Sequence, residues 1–287
     1  MPSEVVEKLR RKIETIGGLP TLPTMLAKIN QFMINPRTTA KEVGQLIASD
    51  PALTIKILRI VNSSFYGFPN RITTTTHAIV ILGFNAVKGV ILSTSVFDAF
   101  GKDGKSASFD RLALWKHSVA CGAASRVLAR RIGVNAIEEF FVAGLLHDIG
   151  KVILDQCVPE EFGQAIRRAK EADTLLLEAE SEVLGVSHAE VGSWLLERWN
   201  LPRIHITAVA RHHNPALADD ELRLTPVVHL ADVLVRSICI GNGGDRRIPA
   251  ISPDAWKSTG LSADDFPALL QEVHDEAERA MVFLEGM

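Results

Sequence analysis

The 287-residue chain carries 31 Lys and Arg against 34 Asp and Glu, a formal net charge of −3, with 47% hydrophobic residues and a mean hydropathy of +0.14. That is ample apolar material for a core, and it excludes a disordered or strongly polyionic chain. The three cysteines, Cys121, Cys157 and Cys239, lie far apart and form no CxxC pair; they suggest neither a disulfide framework nor a thiolate zinc site and fit a reducing, cytoplasmic compartment.

The start, Met1 to Lys12, reads as a charged helix rather than a signal peptide. Glu4 to Ile16, Thr24 to Met33, Ala40 to Ala48, Pro51 to Val61 and His77 to Ser95 all place apolar residues at three- and four-residue spacing. Clusters of Gly, Pro, Asn or Thr separate them, so each is predicted as helix. Thr39-x-x-Glu42 reads as a capping box, and Asp50-Pro51 as an N-cap followed by proline at the first helical position. The longest apolar stretch, Ala78 to Phe100, is interrupted by Asn85, Lys88 and Asp98, so no membrane span is expected. Residues 1–105 hold 13 Lys and Arg against 7 Asp and Glu, and the remainder 18 against 27. The basic front has no basic-aromatic cluster, so its charge reads as solvated surface and no nucleic-acid partner is expected. Gly101 to Ser108 is small, polar and without apolar periodicity, a linker between a front helical subdomain (1–105) and a second one (106–287).

The pattern stays helical beyond it. Phe109 to Ile132 carries His117, Ala136 to Cys157 carries His147-Asp148, and Pro159 to Leu184 is amphipathic with a charged face. Ser187 to Trp199 opens on the capping box Ser187-x-x-Glu190 and bears His188; Pro202 to His213 ends in the pair His212-His213; Thr225 to Ile240 is apolar around Asp232. A loop, Gly241 to Pro249, leads to capped helices near Ser252 and Ser262. Strand signals are scarce, and the fold is predicted all-α. No Gly-rich phosphate loop or GxSxG elbow appears, which removes nucleotide-triphosphatase and serine-hydrolase readings.

The stretch Gly144-Leu145-Leu146-His147-Asp148-Ile149-Gly150-Lys151 places two metal-ligand side chains and a lysine inside an apolar run, Phe140 to Leu154. An ionised aspartate removed from water without a partner costs several kcal/mol, so this pair implies a cation, a basic partner or a hydrogen-bond network. Adjacent helical residues point about 100° apart, so other elements must converge on any shared cation, with Lys151 one turn on and near both. His117, His188, His212, His213 and Asp232 are the available partners.

The ordered series His117, His147-Asp148, His188, His212-His213, Asp232 resembles the metal ligands of the HD superfamily of phosphohydrolases, in the order used by its two-metal members. The segment Asp50-Pro51-Ala52-Leu53-Thr54-Ile55-Lys56-Ile57-Leu58-Arg59-Ile60-Val61-Asn62-Ser63-Ser64-Phe65-Tyr66-Gly67, followed by Ile72 to Thr76 and Ala78-Ile79-Val80-Ile81-Leu82-Gly83, resembles the front of the HDOD family, the HD-related output domains of bacterial signalling. Together the likeness runs from Leu19 to about Val235. In that segment Asn62, Ser63 and Ser64 read as a helix cap and turn, and Phe65 and Tyr66 as core.

The resemblance implies a front bundle joined to an HD-type helical core. It also implies one or two divalent transition-metal ions, with Fe, Mn, Zn and Ni not distinguished. His117, His147, Asp148 and Asp232 would hold one ion, and Asp148 would bridge to a second held by His188, His212 and His213. If the centre turns over, Asp148 and Lys151 are the catalytic candidates, Lys151 adding positive charge in the transition state of phosphoester hydrolysis. His77, His205 and His274 are left as structural or surface residues, and His229, one turn before Asp232, as a support behind the ligands. Two features depart from the related cyclic-dinucleotide phosphodiesterases. No Gly-Tyr-Pro follows the double histidine, which reads His212-His213-Asn214-Pro215, and Ala113 stands where a third metal's glutamate would be. Two functions stay open. One is a regulatory output module that acts by binding a protein partner in a signalling pathway, or a phosphorylated or nucleotide ligand. The other is a metal-dependent phosphohydrolase or phosphodiesterase.

Overall fold

Helix starts follow their caps. Thr39 and Glu42 form the reciprocal capping box that opens α2, Ala40–Ala48, and the Asp50 carboxylate accepts from the Leu53 amide, with Pro51 first in α3, Pro51–Val61. The computed structural model describes residues 4–15, 28, 32, 37–100, 107, 109–217 and 223–285. Thr24 to Met33 and the Gly101 to Ser108 linker lie almost wholly outside them. Among the described residues every regular element is helical and there is no strand, so the fold is all-α. The chain divides into two compact units, residues 20–101 with 279–287, and residues 1–19 with 102–278.

The first unit holds α2, α3, α4 (Thr75–Leu82) and α5 (Phe84–Phe100). His77 to Ser95 is therefore two helices, not the one expected. Gly83 stands between them at φ 84°, a left-handed conformation that glycine adopts without a Cβ clash, and the helices bend by 119° there. Asn62 fixes the turn after α3: its amide donates to the carbonyls of Leu58 and Ile72 and its oxygen accepts from the Ile72 amide at 2.7 Å. Phe65 is buried, edge-on to Tyr66 and Phe283 at 5.0 and 5.2 Å between ring centres. Asn62 and Ser63 thus cap and turn the helix end and Phe65 packs in the core, as their sequence context suggested, while Tyr66 is only half-buried. Among the described residues no single helix is long and apolar enough to cross a membrane.

In the second unit the described residues form α1 (Glu4–Thr15), α6 (Arg111–Arg131), α7 (Ile137–Leu146), α8 (Ile149–Cys157), α9 (Pro159–Ala172), α10 (Leu176–Leu184), α11 (His188–Arg198), α12 (Arg203–Arg211), α13 (Leu224–Ser237) and α15 (Phe266–Ala280), with the short α14 (Pro253–Thr259) between the last two. The short α16, Val282–Glu285, belongs to the first unit. Two further predicted helices are divided. Ala136 to Cys157 breaks at His147-Asp148, where the backbone of Asp148 leaves the helical range at ψ 9°. Pro159 to Leu184 breaks at Asp173, at φ 49°. The first break matters for function, because a continuous helix would have pointed the two side chains about 100° apart.

Helix α6 runs through the unit, buried along most of its length, with α7 and α13 packed on it, while α11 packs on α8 and α12. Small residues set these approaches. A Cβ on Gly144 of α7 would sit 2.5 Å from the Cys121 carbonyl of α6, and one on Gly150 of α8 would sit 1.9 Å from the His188 carbonyl of α11. Both contacts are with backbone, so each glycine is what lets its helix reach the distance that brings the ligand-type residues together.

Candidate metal centre

His117 sits on α6, His147 and Asp148 in the turn between α7 and α8, His188 in the first turn of α11, His212 and His213 just past α12, and Asp232 on α13. All seven converge. Asp148 is the hinge of the cluster: its Oδ2 lies 3.6 Å from His117 Nε2 and 3.4 Å from His147 Nε2, while its Oδ1 lies 3.2 Å from His188 Nε2 and 3.9 Å from His212 Nε2. Each oxygen faces one pair of imidazoles. Asp232 Oδ1 stands 3.0 Å from His117 Nε2 and 3.9 Å from His147 Nε2, and His213 Nε2 stands 2.9 Å from His188 Nε2.

Hydrogen bonds behind the imidazoles orient them. His147 and His212 donate Nδ1–H to the carbonyls three residues back, Gly144 at 2.7 Å and Val209 at 2.8 Å, and His188 donates to the buried Glu180 carboxylate at 2.6 Å. Each ring therefore turns an Nε2 lone pair inward, as metal-ligating histidines do. The capping box of Ser187 and Glu190 starts α11 at the residue before His188, and Glu180 also accepts the His188 amide at 2.8 Å. His229 donates to the His212 carbonyl and accepts from the Ser252 amide, which holds the turn that carries both histidines. His205 is buried 2.9 Å from Glu139, and His77 and His274 are exposed.

The donor set fits a metal. The Nε2 atoms of His147 and His212 are buried without a hydrogen-bond partner, and an orphaned lone pair in the interior costs about 1–3 kcal/mol unless something else satisfies it. Three groups of ligand atoms lie within 4.8 Å of one another: His117, Cys121, His147 and Asp232; His147, Asp148 and His212; and His188, His212 and His213. A buried His/Asp/Cys cluster able to hold a divalent ion is therefore present. Two cations accompany it. Lys151, fully buried, reaches Asp148 Oδ2 at 2.7 Å, and Arg236 reaches Asp232 Oδ1 at 2.7 Å and Asp245 at 2.6 Å.

Charge and burial set the protonation of the metal-free cluster. Burial opposes ionisation of Asp148 and Asp232, but His147 and Lys151 beside the one, and Arg236 and His117 beside the other, hold both carboxyls well below the usual range. Burial, reinforced by neighbouring imidazoles, drives His212 and His213 well below the ordinary histidine value, and burial lowers His117. His188 goes the other way, because Glu180, with help from Asp148, outweighs burial and raises it.

A family model for the HDOD domain matches residues 19–215. The chain belongs to the HDOD family. An HDOD domain protein of unknown function from Geobacter sulfurreducens shares the fold at TM-score 0.80 and 26% identity, over 96% of each chain. A Shewanella amazonensis protein provisionally named a phosphohydrolase aligns at TM-score 0.73 and 22% identity over 97% of each, a likeness of fold. An uncharacterized protein of Treponema pallidum (strain Nichols) is 28% identical over 225 residues, 78% of this chain and 43% of that protein, so the chain spans less than half the length of this relative.

Glu180, Arg236 and Asp245 were not singled out in the sequence. Glu180 sits in an amphipathic stretch where a carboxylate is expected on the solvated face, and its burial depends on α10 meeting α11. Arg236, four residues after Asp232, did carry a signal, the (i, i+4) spacing of an ion pair.

Proposed function

We propose that this HDOD protein is a signal-transduction module that keeps an HD-type metal centre and works by binding a protein partner or a phosphorylated ligand, not by turnover. His117, His147, Asp148 and Asp232 would hold one ion, with Asp148 bridging to a second on His188, His212 and His213. Bound there, such ions supply Lewis-acid character and tie five helical elements together, which adds directly to folding free energy.

The observation that carries this reading is how closed the centre is. Six of the seven ligand candidates, and Lys151, are 2% exposed or less, and His213 alone is half-buried. A hydrolytic centre needs a coordination position open to substrate and a cation free to meet phosphoryl oxygens. Here Lys151 is engaged by Asp148 and Arg236 by Asp232 and Asp245. A second reading, a metal-dependent phosphohydrolase, is favoured by the two-sided placement of Asp148, the position a bridging carboxylate takes in two-metal hydrolases.

A screen of metal-loaded protein against cyclic dinucleotides, nucleotides and a generic phosphodiester separates the two. We expect about one or two metal equivalents per chain by elemental analysis, no turnover, and most of the metal lost in Asp148→Ala. Turnover that disappears in folded His147→Ala and Asp148→Ala would establish the hydrolase instead.

A further inference from the structure

Lys151 and Arg236 each hold one of the two carboxylates of the candidate centre, Asp148 and Asp232. The loop between α13 and α14 lies against both cations. A Cβ built on Gly243 would stand 2.9 Å from Arg236 Nη2 and 3.2 Å from Lys151 Nζ, so one point beside that backbone is within hydrogen-bonding reach of the two. Gly243 is buried, while Asn242, Arg246 and Arg247 on the same loop are exposed. The inner face of the loop covers the cations and its outer face meets solvent.

Side chains and main chain hold this loop down without a regular element. The Asn242 amide donates to the Ala113 carbonyl of α6 at 3.0 Å, and Arg247 Nε donates to the Asp173 carbonyl at 2.6 Å. Between them Asp245 accepts from Arg236 Nη1 at 2.6 Å through Oδ1 and from the Leu176 amide at 2.7 Å through Oδ2, and Arg236 Nη1 also reaches the Arg247 carbonyl at 3.1 Å. Gly241 and Gly244, at φ 70° and 106°, bracket Gly243 with positions that turn without a Cβ clash. The Asp245 carboxylate is to Arg236 what a phosphoryl oxygen would be, an anionic acceptor for its planar fork.

We propose that Gly241 to Asp245 is a lid latched over an anion subsite of Lys151 and Arg236, which the phosphoryl group of a ligand enters by taking the place of the Asp245 carboxylate on Arg236. This rests on the phosphorylated-ligand reading above and needs no ion in the centre. An oxygen at the shared point would lie one bond length from the Gly243 Cα, so the subsite exists only once the lid lifts. Arg236 then keeps Nε on Asp232 and turns Nη1 and Nη2 to the phosphoryl oxygens, with Lys151 as a point charge beside them.

The probe is inorganic phosphate, added to the full chain after chelator treatment so that no bound ion can hold it. Gly243→Ala is the deciding variant, because its methyl presses on Arg236 and Lys151 and raises the lid without changing any charge. A ligand that needs a minor open state binds more weakly by the open fraction, so Gly243→Ala and Asp245→Asn should each tighten phosphate by about tenfold or more in calorimetry. Lid movement is read separately, and in wild type alone, through the exposed Arg246 and Arg247. Phosphate should speed trypsin cleavage after these two residues, and Gly243→Ala should be cut as fast without phosphate. Phosphate bound by wild type with no change in that cleavage, or by folded Gly243→Ala no more tightly than by wild type, would overturn the lid and leave the phosphorylated-ligand reading standing. Phosphate bound by neither wild type nor the folded variants would overturn both.

Discussion

Glu180 is the residue whose work is least visible in the sequence. It accepts hydrogen bonds from His188 Nδ1–H at 2.6 Å and from the amide of the same residue at 2.8 Å, so it fixes both the tautomer and the position of one ligand candidate. Glu180→Gln keeps the shape but replaces the carboxylate, and metal affinity is expected to fall about tenfold, the scale typical of a lost support behind a ligand. Competition with a chelator of known affinity measures it; unchanged affinity would mean that His188 is positioned by the capping box alone. The ligand-type residues themselves were legible, because seven histidines and aspartates on apolar segments are conspicuous at those positions. Their supports were not, since Glu180 and Asp245 look like any surface carboxylate until the helices are packed.

At the scale of the element, closeness of helices decides the geometry. Gly150 carries no side chain where a Cβ would stand 1.9 Å from the His188 carbonyl, and Gly192, facing it on α11, would meet a Val209 methyl at 2.9 Å. Gly150→Ala must push backbone from backbone, which is expected to cost about 3 kcal/mol or more and to scatter the ligands. Gly192→Ala meets the Val209 methyl at 2.9 Å and the Gly150 amide nitrogen at 3.3 Å, looser contacts than that of Gly150, and is expected to cost less. Chemical denaturation with metal analysis of the two variants checks the order, and equal stabilities would show that α8 and α11 slide apart readily. The helices were legible from their caps and periodicity, while the breaks inside three of them were not. Gly83 and Asp173 adopt left-handed backbone, and nothing in a three- to four-residue apolar rhythm marks such a position. The turn at His147-Asp148 lies in an apolar run that continues unchanged on both sides.

For the whole molecule, the cluster links stability to protons and to metal. In the metal-free protein His117, His212, His213 and His229 are lowered from an ordinary value near 6.5, chiefly by burial. Below that pH the unfolded chain binds more protons than the folded one, so stability falls as pH drops from 6.5 toward their folded values. His188, raised, acts in the opposite sense: its contribution is full below 6.5 and fades as pH rises through its folded value. Asp148 and Asp232 add stability above 3.8 that is lost below it. Four lowered imidazoles outweigh one raised, so the thermal midpoint of chelator-treated protein should drop between pH 7 and pH 5, and a level or rising midpoint would refute the balance. At pH 7 the metal-loaded protein should melt higher than the stripped one. The burial of these ligands has a further effect on time. On the metal centre proposed above, an ion enclosed by side chains from five helical elements would leave through local opening of those elements, more slowly than from an exposed site. The occupant would then lag behind its surroundings: two batches of the same chain, one folded in zinc-rich and the other in iron-rich medium, would differ at first and converge only as the enclosing elements open.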